Sequence, residues 1–401
     1  MIVLKKYKKF SNRKLFLIFL MFALAIVSSF DFIGVSANND DSGFSGNLFS
    51  TTSELLENID FSELQSVLDE IDEYNLFENF TIKEKITNIL NGSDTTNYSN
   101  IFSAILSSIF SNVKNIIPII FTIVGIGLVC SLVLNFQTQD KKSDVIYFVC
   151  LSLVVTVILV AFKNILNVTS DTLKNIENQM IIVFPILITL LSSIGALSSV
   201  SIYNPLVSIL TGGVTFIFTK FLFPLFILIF LFTILNNLTT STKLDKFIDL
   251  FNSIFKWTIG TIFTLFISFL SIQGISAGKF DSVSIKATKF AVKSYIPIIG
   301  SYISEGMDFI VLGSVLLKNS FGLIGVFVLF ITILSPVINI LMFKLGLQLS
   351  SAIVEMSDNS KISNFVSGCS KLLILPIAIL LGVALMYIIT ICLIMCTANI
   401  F

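Results

Sequence analysis

The sequence contains no histidine, one arginine (Arg13) and one tryptophan (Trp257). Without imidazole it lacks the commonest general base, a common metal ligand and the usual neutral-pH switch. Charge is scarce as well. Only 12% of the 401 residues are Asp, Glu, Lys or Arg, against about 25% in a soluble domain. No basic patch is large enough to neutralise a row of phosphates, which excludes nucleic acid as a partner. The five cysteines, Cys130, Cys150, Cys369, Cys392 and Cys396, lie in or beside apolar stretches without zinc-type spacing. They read as small apolar packing residues. There is no nucleotide-binding loop and no Gly-x-Ser-x-Gly elbow; Gly212-Gly213 and Gly278 lack the flanking Lys-Ser/Thr of a phosphate cradle. An intramembrane aspartyl enzyme needs two aspartates at depth, and Asp308 alone qualifies. No catalytic, cofactor-binding or metal-binding residue is expected, and the chain is not read as an enzyme.

What is present is hydrocarbon. Apolar residues make up 55% of the chain, forty of them Phe, and the mean hydropathy is +0.94. Water does not solvate such a surface, so the lipid bilayer is the expected solvent. In lipid every backbone polar group needs an internal partner, which leaves helices or closed barrels. The apolar runs are about 20 residues long and do not alternate, which selects helices. The expected fold is an all-α, polytopic helical membrane protein of about seven or eight spans.

Three regions are expected. Residues 1–37 have the order of a signal peptide: Lys5, Lys6, Lys8, Lys9, Arg13 and Lys14, then an apolar stretch at 15–30, then Val35-Ser36-Ala37 as a cleavage site. Whether it is cleaved or kept as an anchor, residue 38 emerges on the non-cytoplasmic side. Residues 38–114 form a short, acidic, amphipathic-helical extracytoplasmic region. Up to residue 113 it carries 13 acids against Lys83 and Lys85. In it, 38–52 reads as a linker and Thr51 with Glu54 as a capping box. Leu56, Ile59, Leu64, Val67, Leu68 and Ile71 then recur at helical spacing until Asn91-Gly92 breaks the pattern. A second amphipathic stretch, from Ile101 to Val113, fits the bilayer interface or a partner helix.

Residues 115–401 form the multi-span domain, with spans expected near 116–136, 145–162, 180–200, 206–235, 254–276, 320–343 and 372–398. The stretch 206–235 holds Gly212-Gly213, Lys220 and Pro224, so a kinked or broken helix is expected there. Residues 294–317 are only moderately apolar and fit a span, a re-entrant segment or a surface helix. Loop lysines set the orientation. The loop 137–144, with Lys141 and Lys142, is expected inside. Five counted spans also bring 277–293 inside, as a cytoplasmic docking loop carrying Lys279, Lys286, Lys289 and Lys293. Ionisable groups at membrane depth mark functional positions. Lys220, Glu305 and Asp308 are the candidates, beside Lys344 and Glu355. Glu305 and Asp308 share a helix face and suit one cation or one lysine, or equally face water in a loop; all five candidates also fit span ends from which they snorkel. The small residues of 190–201 permit close helix approach, within the chain or in a homo-oligomer.

Residues 269–308 and 316–325 resemble the stage III sporulation protein AE family. The resemblance rests on Gln273-Gly274, Lys289-Phe290, Ile296-Pro297 with Gly300, and Leu317-Lys318-Asn319 with Gly322 and Gly325. The layout of leader, acidic helical segment and multi-span body agrees over nearly the whole chain. The resemblance implies a multi-pass protein of the mother-cell membrane surrounding the forespore. It implies a membrane subunit of a secretion-like channel complex linking mother cell and forespore and required for late forespore development. The implied partners are the sibling stage III sporulation proteins AA to AH, among them a cytoplasmic ATPase, and stage II sporulation protein Q across the intermembrane space. It supplies no site residues. The alternative drawn from the residues is a stand-alone secondary transporter of a small molecule or ion, for which the irregular spans speak.

Overall fold

The computed structural model describes residues 42–57, 59–71, 81–90, 98–136, 140–238, 244–295, 300–357 and 359–398. The leader at 1–37, the Asn91-Gly92 break and Pro297 lie outside them. Every regular element among the described residues is helical. In chain order they are α1 (Ser42–Glu57), α2 (Ser62–Ile71), α3 (Ile82–Leu90), α4 (Tyr98–Asn135), α5 (Asp140–Ser193), α6 (Leu197–Ser208), α7 (Phe223–Leu238), α8 (Asp245–Tyr295), α9 (Gly300–Met356), α10 (Ser360–Leu372) and α11 (Ile374–Cys396). Among the described residues six stretches are long and apolar enough to cross a membrane: Ile105–Leu134, Val145–Ser193, Leu197–Leu238, Asp245–Leu270, Gly306–Met356 and Ser360–Cys396.

Several sequence expectations are corrected. The spans at 145–162 and 180–200 are not separated by a loop, because α5 runs unbroken through 163–179. That polar stretch keeps one packed face: Phe162, Ile165, Thr169, Leu173, Ile176 and Met180 are all buried at helical spacing. The segment 277–293 is likewise no loop but the last third of α8. From Gly300 on, 294–317 forms one helix with the span that follows it. At 1.5 Å per residue, α5, α8 and α9 each measure roughly 75–85 Å, more than twice the ~30 Å hydrocarbon core. The expected linker and Thr51 capping box give way to α1, which already runs through them.

The expected irregularity at 206–235 is present. After α6 the chain takes a π-helical turn at Ile209–Val214, containing Gly212 and Gly213, and a second at Phe218–Leu222, containing Lys220. The break between α5 and α6 is a helix stop of the Schellman type. Gly195 sits at φ +90, a conformation that suits glycine. Its N–H donates to the Ser192 carbonyl at 2.9 Å, and the Ala196 N–H to that of Leu191 at 3.2 Å.

The core is built around α9. Its apolar residues from Val311 to Val354 are mostly buried, with Leu345 and Leu349 left exposed, because other helices cover most of its surface. α5 runs antiparallel to it: Ser193 bonds Ser314, Val183 lies against Gly325, Gln179 bonds Thr332 and Phe162 meets Phe343. α10 and α11 also return antiparallel, with Ser363 bonded to Ser351, Ser370 to the Lys344 carbonyl, and Ile391 against Gly322. α4 runs parallel to the last third of α9. Ile116 meets Gly346, Val354 meets Gly127, and the Ser131 hydroxyl donates to the Ser357 carbonyl. On the outside, α4 and the first half of α5 expose Phe121, Val129, Phe136, Val145, Phe148 and Val160, as a lipid-facing surface does.

Candidate functional site

The amino-terminal end of α9 is where most of the polar side-chain chemistry collects. Thr52 of α1 lies against Gly313, and Phe61, just before α2, packs on Phe321 at 5.7 Å between ring centroids. Leu56, Leu64, Leu68, Ile82 and Ile86 are buried beneath these helices, while Glu54, Glu57, Glu63, Asp69, Glu70 and Glu84 stay exposed. The acidic segment is therefore a cap of short helices with an acidic outer face.

Two ionic contacts tie α8 to this end. Asp281 is 1% exposed. Its carboxylate accepts the Ser198 N–H at 2.9 Å, the Ser199 N–H at 3.0 Å and the Ser199 hydroxyl. It thus supplies an N-cap to α6 from another helix, where orphan amides and the positive end of the dipole favour an anion. Eight residues on, Lys289 pairs with Asp308 of α9. The structure so joins two residues that the sequence put in separate candidate sets. Lys286 and Lys293 are exposed. Glu305 lies in the second turn of α9 and Lys279 in α8; both side chains are outside the described set.

The sequence count sets 277–293 on the side opposite residue 38. Through Asp308, Gly313 and Thr52 it shares one end of the molecule with α1–α3. That count takes 145–162 and 180–200 as two crossings, where the structure has one unbroken helix. Ser357, Lys361 and Tyr147 mark the other end: Ser131 bonds Ser357, and the Lys361 Nζ stands 4.8 Å over the Tyr147 ring.

The remaining candidates separate. Lys220 and Glu355 are exposed, whereas Lys344 is buried. The sequence reading missed the buried polar groups between α5, α9 and α11. Lys318 has 0% exposure, and its Nζ donates to the Thr397 carbonyl, just past the end of α11. There the helix dipole favours a cation. The Thr397 and Tyr203 hydroxyls lie 2.7 Å apart, which brings in α6. Gln179 and Tyr387 are also fully buried. Gln179 Nε2 donates to Thr332 Oγ1. Gln179 Oε1 and Tyr387 Oη have no hydrogen-bond partner among the described residues. The signal was available for Lys318, a lysine inside an apolar stretch. It was read only as part of a sequence motif.

A family model described as "Stage III sporulation protein AE" matches residues 80–398. The chain is similar to the Stage III sporulation protein AE of Bacillus subtilis (strain 168), with 23% identity over 320 residues, covering 79% of this chain and 80% of the relative. No solved structure matches.

Proposed function

The chain belongs to the stage III sporulation protein AE family, and from that membership we propose that it is the membrane subunit of a secretion-like channel complex between mother cell and forespore. That it is a multi-span helical membrane protein of sporulation follows from the family and the six apolar helices together. The observation that carries the finer reading is the extent of the match, 80–398, which takes in the whole multi-span body.

In this reading the protein sits in the mother-cell membrane around the forespore. The end with α1–α3, Asp281 and Lys289 faces the intermembrane space. The opposite end faces the mother-cell cytoplasm. The sequence near that end carries Lys141, Lys142, Lys246 and Lys361, as the positive-inside tendency requires. The exposed acids of α1–α3 and the exposed Lys286 and Lys293 then meet the outer domains of sibling subunits and of stage II sporulation protein Q. The sequence has no nucleotide-binding loop of its own, which suits a conduit energised by a partner ATPase at the cytoplasmic end.

Deletion tests the reading. Loss of late forespore gene expression, with recovery of the sibling subunits alongside a tagged chain, is the expected result. Normal sporulation after deletion sinks it. The two π-turns around Gly212 and Lys220 favour a second reading, an ion-coupled transporter acting alone. Uptake by vesicles holding this chain and no sibling would decide for that one.

A further inference from the structure

Unpaired polar atoms buried in protein are costly, about 1–3 kcal/mol each by mutational measures. The interface of α5, α9 and α11 holds two, Gln179 Oε1 and Tyr387 Oη, on side chains with 0% exposure. They lie along one stripe of α9. Lys318, Gly325 and Thr332 follow each other at seven-residue intervals, about two helical turns. Lys318 is bonded to the end of α11. The Gly325 position faces Tyr387: a Cβ there would stand 3.7 Å from Tyr387 Oη, 3.1 Å from Val183 Cγ1 and 3.3 Å from Ile391 Cδ1. Thr332 Oγ1 accepts from Gln179, and Val183 is one turn from Gln179 along α5. The polar groups thus mark a line of roughly 21 Å down the middle of the bundle.

The helices also come close along this line. A Cβ at Gly322 would lie 2.6 Å from the Met395 sulfur. Small residues permit that approach. At the Thr397 end the stripe is bonded to α11 through Lys318. A hydroxyl and an amide oxygen held here serve no packing purpose that Phe or Leu would not serve better. Water in the seam would give them partners.

We propose that the seam between α5, α9 and α11 is a water-admitting crevice, narrowed in this structure, whose lining groups are Lys318, Tyr387, Gln179 and Thr332. It deepens the channel-subunit reading and rests on it for its biological meaning, since it places the hydrophilic path within one chain. Its ligand is water, hydrogen-bonded at Tyr387 Oη and at Gln179 Oε1.

The test uses the full chain in membranes of sporulating cells, with its five cysteines replaced by alanine. Thr332→Cys is compared with Val337→Cys, a nearly volume-conserving change at a position 1% exposed on another face of α9. A charged methanethiosulfonate is expected to modify Thr332→Cys at least tenfold faster. Equal, slow modification overturns the proposal. Tyr387→Phe in the otherwise unaltered chain gives an independent reading. An admitting seam predicts at least a tenfold loss of heat-resistant spores at unchanged protein level. Unchanged spore yield with equal or higher thermal stability is the dry-seam result and also overturns it. Either failure leaves the deletion phenotype standing, so the family-level reading is judged separately.

Discussion

The Asp281 carboxylate holds the start of α6 at Ser199, taking its backbone N–H at 3.0 Å and its hydroxyl as well. The two residues are 82 positions apart, so this cap is tertiary. Its loss leaves buried amides without an acceptor. Asp281→Ala is expected to destabilise by about 1–3 kcal/mol. Asp281→Asn, which keeps one acceptor oxygen, should lose less. Thermal unfolding in detergent checks the order, and equal stability of all three chains would refute the cap.

The Lys289–Asp308 pair joins α8 to α9 with part of each side chain still exposed. Partly solvated pairs contribute up to about 1 kcal/mol. Asp308→Lys is expected to lower stability and Lys289→Asp to do the same. The double exchange should recover most of the loss, and a double-mutant cycle measures the recovery.

Glycines set the spacing of α4 on α9. A Cβ at Gly346 would stand 2.5 Å from Ile116 Cγ2, and one at Gly127 2.6 Å from Val354 Cγ2. Both neighbours are β-branched and stiff. Gly346→Ala and Gly127→Ala are each expected to cost about 1–3 kcal/mol from overpacking, less up to about 1 kcal/mol regained in helix propensity. Gly322→Ala meets the flexible Met395 instead and should be milder. Chemical crosslinking between α4 and α9 would report the displacement.

The outer helices carry a pH response. The Ser62 N–H holds the Asp60 carboxyl below its usual range, and the Thr81 N–H does the same for Glu84. Thr81 and Glu84 form a reciprocal capping box, at 2.8 and 3.2 Å. A carboxyl lowered in the folded state stabilises above its unfolded pKa and loses that effect as pH falls through the folded value. The first turns of α2 and α3 are therefore expected to fray in acid below the normal carboxylate range. Amide exchange at Ser62 and Thr81 against pH checks it, and protection that is flat with pH would refute it.

Sidedness follows from the packing. A hydrophilic thiol reagent applied from one side is expected to reach Glu57→Cys and Lys286→Cys together, and Lys361→Cys from the other side. Labelling of positions 57 and 286 from opposite faces would overturn the shared end.

The helices most legible in the sequence were those bounded by charge. The run ending at Cys396 was placed nearly to the residue, because nothing polar interrupts it. The continuity of α5 was less legible. Lys163, Asp171, Lys174 and Glu177 look like a loop when hydropathy is averaged, yet Phe162, Ile165, Leu173 and Ile176 keep helical phase beneath them. Averaging discards that phase, and with it the parity of every later crossing. The residues at the seam were less legible still. Gln179 and Tyr387 are ordinary in sequence, and only the packing of three helices gives them their setting.

The unbroken course of α5 has a consequence for how the protein is made. During synthesis 145–162 and 180–193 emerge as two separate hydrophobic stretches, and the insertion machinery meets them long before residues 300–356 exist. Nothing then distinguishes them from a pair of independent membrane anchors. The helix that unites them is held along α9, by Phe343, Thr332, Gly325 and Ser314 in turn. The contacts that line α5 along α9 are therefore completed only once residues 314–343 have been made.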